Sequence, residues 1–197
     1  MKRFWLGAGI VLLPIGWFAA GGGLGMIGHM TGHMIAVALA APLIAYGLKG
    51  TRADPAIRWP RAVTPMAMML VELTTVWLWH LPIFRRLAAS AWPTLFFEQL
   101  SFLIAGLLLW SAVLRSAHRA AGVGALLLTS MHMTLLGALI GLAPRPLYPS
   151  MHQGLHGLEP LADQQLGGVV MLIVGAASYF IGGLALMYGI VREREAA

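Results

Sequence analysis

The sequence contains no cysteine. This absence excludes disulfides, CxxC redox motifs and thiolate metal sites, so a bound metal ion would need histidine, methionine, carboxylate or backbone ligands. Charged residues are also scarce, at 10% of 197 residues against roughly 25% in soluble domains. No run of five or six basic residues occurs, so the net charge of +6 does not indicate nucleic-acid binding.

Apolar residues dominate instead, at 59% of the chain with a mean hydropathy of +0.79. A membrane-spanning helix needs about 20 mainly apolar residues, and six segments qualify: 4–21, 24–47, 63–83, 94–115, 121–143 and 164–190. Runs of this length satisfy their backbone hydrogen bonds in lipid as helices. The sequence therefore predicts an all-α, polytopic integral membrane bundle with six transmembrane helices, forming a single domain over residues 1–197.

The first segment has a second interpretation. Lys2 and Arg3, the apolar run and the small residues Ala19 and Ala20 also fit a secretory signal peptide. We expect an uncleaved helix, and the rest of the topology is the same in both cases.

Lysine and arginine are distributed unequally between the two sides of this bundle. With the N-terminus inside, ten of the 13 basic residues fall in cytoplasmic segments, and three, Arg85, Arg86 and Arg145, fall outside. This bias marks the cytoplasmic side, so both termini are predicted to be cytoplasmic. We interpret Arg85 and Arg86 as interfacial anchors or partner contacts.

His29 and His33 lie four residues apart in the outer half of the second segment, so they share one helix face. Ionisable side chains inside a membrane are rare and usually mark a site or pathway. Further histidines fall on the same side of the membrane or in its outer half: His80, His132, His152 and His156. Glu98 and Asp163 also lie there, although acids near helix N-termini are often favourable to the helix alone.

The ligand types favour copper. Imidazole suits copper, zinc, iron and nickel, whereas thioether favours Cu(I), and structural zinc sites more often recruit cysteine or carboxylates. We expect His29 and His33 as central metal ligands, with His80 and His132 completing the site. His152 and His156 would form an entry or loop site. The secondary candidates are Met26 and Met30, as transient Cu(I) contacts, with Glu98 and Asp163.

Two alternatives remain open from the residues alone. His33 and His132, on different helices, could ligate a b-type haem axially, which would make the protein a membrane cytochrome. Glu72 and His132, near the middle of the bilayer, could line the path of a copper or proton permease.

Five ordered blocks carry a family resemblance. They are HMTGHM (29–34), APLIAYG (41–47), HLPIF (80–84), FEQLSFLIAGLLLW (97–110) and ADQQLGG (162–168). Together they resemble the polytopic CtaG family, bacterial membrane proteins associated with the assembly of copper-containing cytochrome c oxidases. The matching positions carried over from the family are His29, His33, His80 and Asp163.

The resemblance implies a non-enzymatic, multi-pass assembly factor of the bacterial plasma membrane that supplies or handles copper at the outer face. The implied partners are cytochrome c oxidase subunits or another copper-handling protein, together with membrane lipid and no nucleic acid. Assembly into a homo-oligomer is left open.

Overall fold

The computed structural model describes residues 1–115, 119–148 and 157–195, and every regular element in these ranges is helical. The ten α-helices are α1 (Lys2–Gly21), α2 (Gly25–Met34), α3 (Ala41–Leu48), α4 (Pro55–Arg58), α5 (Pro65–His80), α6 (Pro82–Ser90), α7 (Trp92–Arg115), α8 (Arg119–Gly141), α9 (Pro160–Val170) and α10 (Ala176–Glu195). Two π-helical segments, Ile35–Ala40 and Met171–Gly175, join α2 to α3 and α9 to α10.

The expected all-helical membrane bundle is confirmed. Five continuous helices are long and apolar enough to cross a membrane, and a sixth span results if α5 and α6 are counted together. Among the five continuous spans, the predicted boundaries differ most in the last, which begins at Pro160 rather than at residue 164 and ends at Glu195 rather than at residue 190. The cytoplasmic location of the termini stays a prediction.

The predicted span 63–83 is not one straight helix. α5 ends at His80, and α6 begins at Pro82 with its axis bent by 73° from that of α5. Leu81, between them, is extended, as the position before a proline usually is. Because of this break, α6 crosses the end of the bundle. The sequence had not predicted a separate helix here.

Pro42 lies within the second span, whose helical path continues from Gly25 to Leu48. Proline lacks the N–H that would bond to a carbonyl one turn earlier, and the π-helical segment lies at this turn. Two hydroxyls from α10 approach the neighbouring carbonyls instead: Ser178 Oγ donates to Ala38 O at 2.7 Å, and Tyr179 Oη lies 3.3 Å from Val37 O.

Close helix packing occurs at paired glycines, as the sequence spacing predicts for a membrane bundle. A Cβ atom built on Gly137 would lie 2.9 Å from the backbone nitrogen of Leu172, and one on Gly168 would lie 2.5 Å from that of Gly141. α8 and the last span therefore meet backbone to backbone.

The helices converge so that one end of the bundle collects most of the buried polar and charged side chains in the described residues. α1 packs along α2 and α3, α7 packs on α3 and α5, and α8 packs on α5, α9 and α10. We call the end at which α2 and α7 begin and α5 finishes the histidine end. The charge distribution predicts that this end faces outward.

Candidate metal centre

His29 and His33 lie on the same face of α2 and are both about 1% exposed. Their ring centroids are 3.9 Å apart, and the His33 ring also packs on Phe102 at 4.1 Å. The i, i+4 spacing on a regular helix produces this proximity. The predicted common helix face of His29 and His33 is therefore confirmed.

Glu98, in the second turn of α7, is the residue on which both imidazoles converge. Its Oε1 atom lies 3.3 Å from Nε2 of His29 and 3.6 Å from Nε2 of His33. The three residues are buried, and each offers one ligand atom within 4.8 Å of the other two. Glu98 is thus placed inside the cluster rather than at the N-cap of α7.

The imidazoles of this cluster lack well-aligned hydrogen bonds. None of the four ring nitrogens of His29 and His33 has a hydrogen-bond partner of good geometry within 1–115, 119–148 or 157–195, although both Nε2 atoms lie close to Glu98 Oε1. Buried polar atoms are usually partnered, so such exceptions require an explanation. Two imidazoles and a carboxylate that face each other with free lone pairs are a suitable ligand set for a late transition metal ion.

Arg85, on α6, contacts the Glu98 carboxylate from the histidine end of the bundle. Its Nη1 atom donates to both carboxylate oxygens of Glu98, at 3.3 Å and 3.1 Å, and its side chain is buried. The interpretation of Arg85 as an interfacial anchor or partner contact is therefore wrong, because the bend after His80 turns the residue inward. Arg86, its neighbour, is exposed.

His80 and Met30 form a second pair of donors beside the first cluster. Nδ1 of His80 donates to the carbonyl of Val76 at 2.6 Å, which leaves Nε2 facing Met30 Sδ at 3.5 Å. The His80 and His33 ring centroids are 5.6 Å apart. A hydrogen bond of this kind fixes the tautomer and orientation of a ligand histidine, so Nε2 of His80 is available to a metal ion.

Tyr148, in the loop after α8, bonds to the C-terminal end of α5. Its hydroxyl donates to the backbone carbonyl of His80 at 2.8 Å. Burial raises the pKa of the Tyr148 phenol to about 12, so the group stays a donor at physiological pH. Sequence patterns gave no signal for this contact.

His132 is engaged elsewhere, with Glu72. Nε2 of His132 lies 2.9 Å from Oε2 of Glu72, and the hydroxyl of Tyr179 lies 3.2 Å from Oε1. Glu72 is eight residues before His80 on α5, about 12 Å deeper at 1.5 Å per residue. His132 therefore pairs with an interior carboxylate rather than joining His29, His33 and Glu98.

Asp163 and Met26 meet at the start of α2. The Asp163 carboxylate accepts backbone hydrogen bonds from Met26 at 2.6 Å and Ile27 at 3.2 Å. An acid in this position satisfies free N–H groups and complements the helix dipole. The residue caps the neighbouring helix rather than its own, and the buried side chain of Met26 packs against Gly167 through its Cγ atom.

His152 and His156, proposed as an entry or loop site, lie outside the described residues. The residues that the sequence analysis missed are Arg85 as a cluster member, Phe102, Tyr148 and Tyr179. Each joins the polar groups through a contact between distant segments, for which local patterns carry no signal.

The comparisons with known proteins identify one family. Residues 2–193 match the family model described as cytochrome c oxidase caa3 assembly factor (Caa3_CtaG). No curated protein and no solved structure matches the chain in the corresponding searches. Since the family model spans nearly the whole chain and the five sequence blocks lie within it, the chain belongs to the family of cytochrome c oxidase caa3 assembly factors.

Proposed function

We propose that the protein binds copper in a cluster of His29, His33 and Glu98 and hands it on during assembly of a cytochrome c oxidase. Copper is the cargo in this proposal, and the protein acts without catalysing a reaction. The observation that carries it is the convergence of two buried imidazoles on one carboxylate oxygen, at 3.3 Å and 3.6 Å, without a well-aligned hydrogen bond to either ring.

The neighbouring donors favour Cu(I) over zinc as the cargo. Two histidines and a glutamate can also hold zinc, so this set alone does not select between the metals. Met30 Sδ and His80 Nε2, 3.5 Å apart, add a thioether and a further imidazole next to the cluster. A thioether prefers a soft ion such as Cu(I), and such a mixed set supports transient binding.

The predicted topology agrees with delivery at the outer face of a bacterial plasma membrane. The cluster lies at the histidine end, which the distribution of lysine and arginine assigns to the outside. The partner would be a copper-accepting oxidase subunit or a second copper-handling protein.

Metal binding by the purified protein tests this proposal. Anaerobic Cu(I) titration against a chromophoric chelator should give tight binding in the wild type and a loss of at least 100-fold, about 2.7 kcal/mol, in His29→Ala/His33→Ala. His118→Ala, in the segment between the predicted spans 94–115 and 121–143, serves as the matched control. Unchanged Cu(I) affinity in the double variant would contradict the proposal.

A second experiment addresses delivery in cells. A strain lacking the protein should assemble a copper-depleted oxidase, and the wild-type gene should restore copper content whereas the His29→Ala/His33→Ala gene should not. Added copper in the medium should partly rescue the double variant if supply is the missing step. Oxidase copper that is normal in the double variant would exclude a delivery role for the cluster.

The haem and permease alternatives predict other results. An axial haem on His33 and His132 would have to replace the His33–Phe102 packing and the His132–Glu72 bond, and it would give a Soret band that shifts on reduction. A permease would transport copper or protons into proteoliposomes, and Glu72→Gln would abolish the transport. A colourless, transport-inactive protein that still binds Cu(I) favours the assembly role.

A further inference from the structure

Arg85 lies between the Glu98 carboxylate and a cavity at the histidine end of the bundle. A cavity of about 120 Å³ opens between the α1–α2 turn and α6, and its lining includes Gly21, Gly23 and Gly25 on one side and Arg85 and Ala89 on the other. Gly21, Gly23 and Ala89 are exposed at this end of the bundle. The Arg85 side chain therefore separates the cavity from Glu98.

The position of this arginine is fixed by the fold. In α6 the inward-facing residues are Arg85 and Ala88, whereas most of the helix is exposed. The guanidinium binds both oxygens of Glu98 through Nη1. Its Nε makes no hydrogen bond with the residues that the structure describes. An arginine keeps its charge in such an environment, so a permanent cation faces the ligand set.

The charges of the cluster then sum to zero before an ion enters. Imidazoles bind metals in their neutral form, Glu98 contributes one negative charge, and Arg85 cancels it. A monovalent ion raises the buried charge to +1, whereas a divalent ion raises it to +2. Because burying uncompensated charge is costly, this arrangement disfavours divalent ions.

We propose that Arg85 is a specificity-determining residue that makes the cluster select monovalent Cu(I) over divalent ions such as Zn²⁺ and Cu²⁺. This inference rests on the proposed function, because it assumes that the cluster binds metal. A cation about 6 Å away, acting through an effective dielectric constant of about 20, weakens binding about 100-fold for each unit of charge on the ion. The residue thus contributes about 100-fold to selectivity between the two charges.

The test uses Ag⁺ and Zn²⁺, two redox-inert ions with filled d shells and different charges. Affinities of the purified protein for both ions are measured by chelator competition in the wild type, Arg85→Gln, Arg85→Met and Arg85→Lys. The uncharged variants should lower the Ag⁺/Zn²⁺ affinity ratio about 100-fold, whereas Arg85→Lys should hold the ratio within a few fold. Arg86→Gln, an exposed neighbour on the same helix, is the matched control.

The outcomes separate this inference from the proposed function. An unchanged ratio in Arg85→Gln and Arg85→Met, with both ions still bound, overturns the role of Arg85 and leaves the metal cluster standing. A wild type that binds neither ion, or a His29→Ala/His33→Ala variant that binds both normally, overturns the proposed function itself. If one uncharged variant does not fold, the other and the charge-conserving Arg85→Lys still decide, because loss of selectivity in Arg85→Lys contradicts the charge argument.

Discussion

Oε2 of Glu72 lies 2.9 Å from Nε2 of His132, inside the membrane-spanning part of the bundle. Glu72 is 0% exposed, and its other oxygen is 3.2 Å from the Tyr179 hydroxyl. A charged group at such a depth is costly unless it is paired. These contacts therefore link α5, α8 and α10, because Glu72 satisfies its polar atoms with side chains from the other two helices.

Removal of Glu72 should leave the buried imidazole of His132 without a hydrogen-bond partner. Glu72→Ala is expected to lower the free energy of unfolding in detergent by about 3–5 kcal/mol. The apolar pair Glu72→Met/His132→Leu should recover most of this loss, since replacing both partners removes the unpaired group. Cu(I) binding should persist in the double variant. Its loss would indicate that His132 is a metal ligand, as the sequence predicted.

The carboxylate of Asp163 is predicted to act on α2 and not on metal. Asp163→Ala removes the cap on the N–H groups of Met26 and Ile27 and should lower the free energy of unfolding by about 1 kcal/mol. The Cu(I) stoichiometry of the folded variant should equal that of the wild type. Glu159→Ala, an exposed acid four residues earlier, is the control and should change stability by less than about 0.5 kcal/mol. A reduced stoichiometry in Asp163→Ala would make the residue a ligand after all.

Gly168→Ala is predicted to separate α8 from the last span. A methyl group there would lie 2.5 Å from the backbone nitrogen of Gly141, which cannot move independently, so we expect a loss of about 1–3 kcal/mol in thermal unfolding. Gly124→Ala tests a glycine of α8 with nothing within 4 Å; it should be neutral or stabilise the helix by about 0.5–1 kcal/mol. Equal effects of the two substitutions would contradict close packing at Gly168.

Ser178 is predicted to stabilise the fold only when residue 42 is a proline. Its hydroxyl donates to Ala38 O, a carbonyl that Pro42 cannot reach as a donor. Ser178→Ala should cost about 0.6 kcal/mol in the wild type and close to nothing in a Pro42→Ala background, as measured by a double-mutant cycle. Ser130→Ala removes a bond to Ala176 O and should cost the same in both backgrounds. Absence of coupling between residues 42 and 178 would reject this explanation.

Met30 is predicted to set the preference for soft ions. Met30→Leu conserves volume but removes the sulfur that faces Nε2 of His80. Affinity for Cu(I) should fall about tenfold, or 1.4 kcal/mol, with Zn²⁺ affinity unchanged. Met133→Leu, an equally buried methionine, should alter neither affinity. A parallel fall for both ions would indicate a packing defect rather than a lost ligand.

The sequence by itself determined the class of the protein and the location of its main polar residues. Apolar runs of membrane length predicted the helices, and the i, i+4 spacing of His29 and His33 predicted their common face. Both properties are local, since helix periodicity and hydropathy depend on residues within a few turns.

Only the tertiary structure decided which polar groups are partners. Because of the 73° bend at Leu81, the Arg85 side chain contacts Glu98. Because α5 packs on α8, His132 bonds to Glu72 rather than joining the cluster of His29, His33 and Glu98. Asp163 likewise caps a helix about 137 residues distant in sequence. Depth along a helix can be counted from the sequence, whereas the rotation of each helix and the angle of a break depend on the packing of all its neighbours.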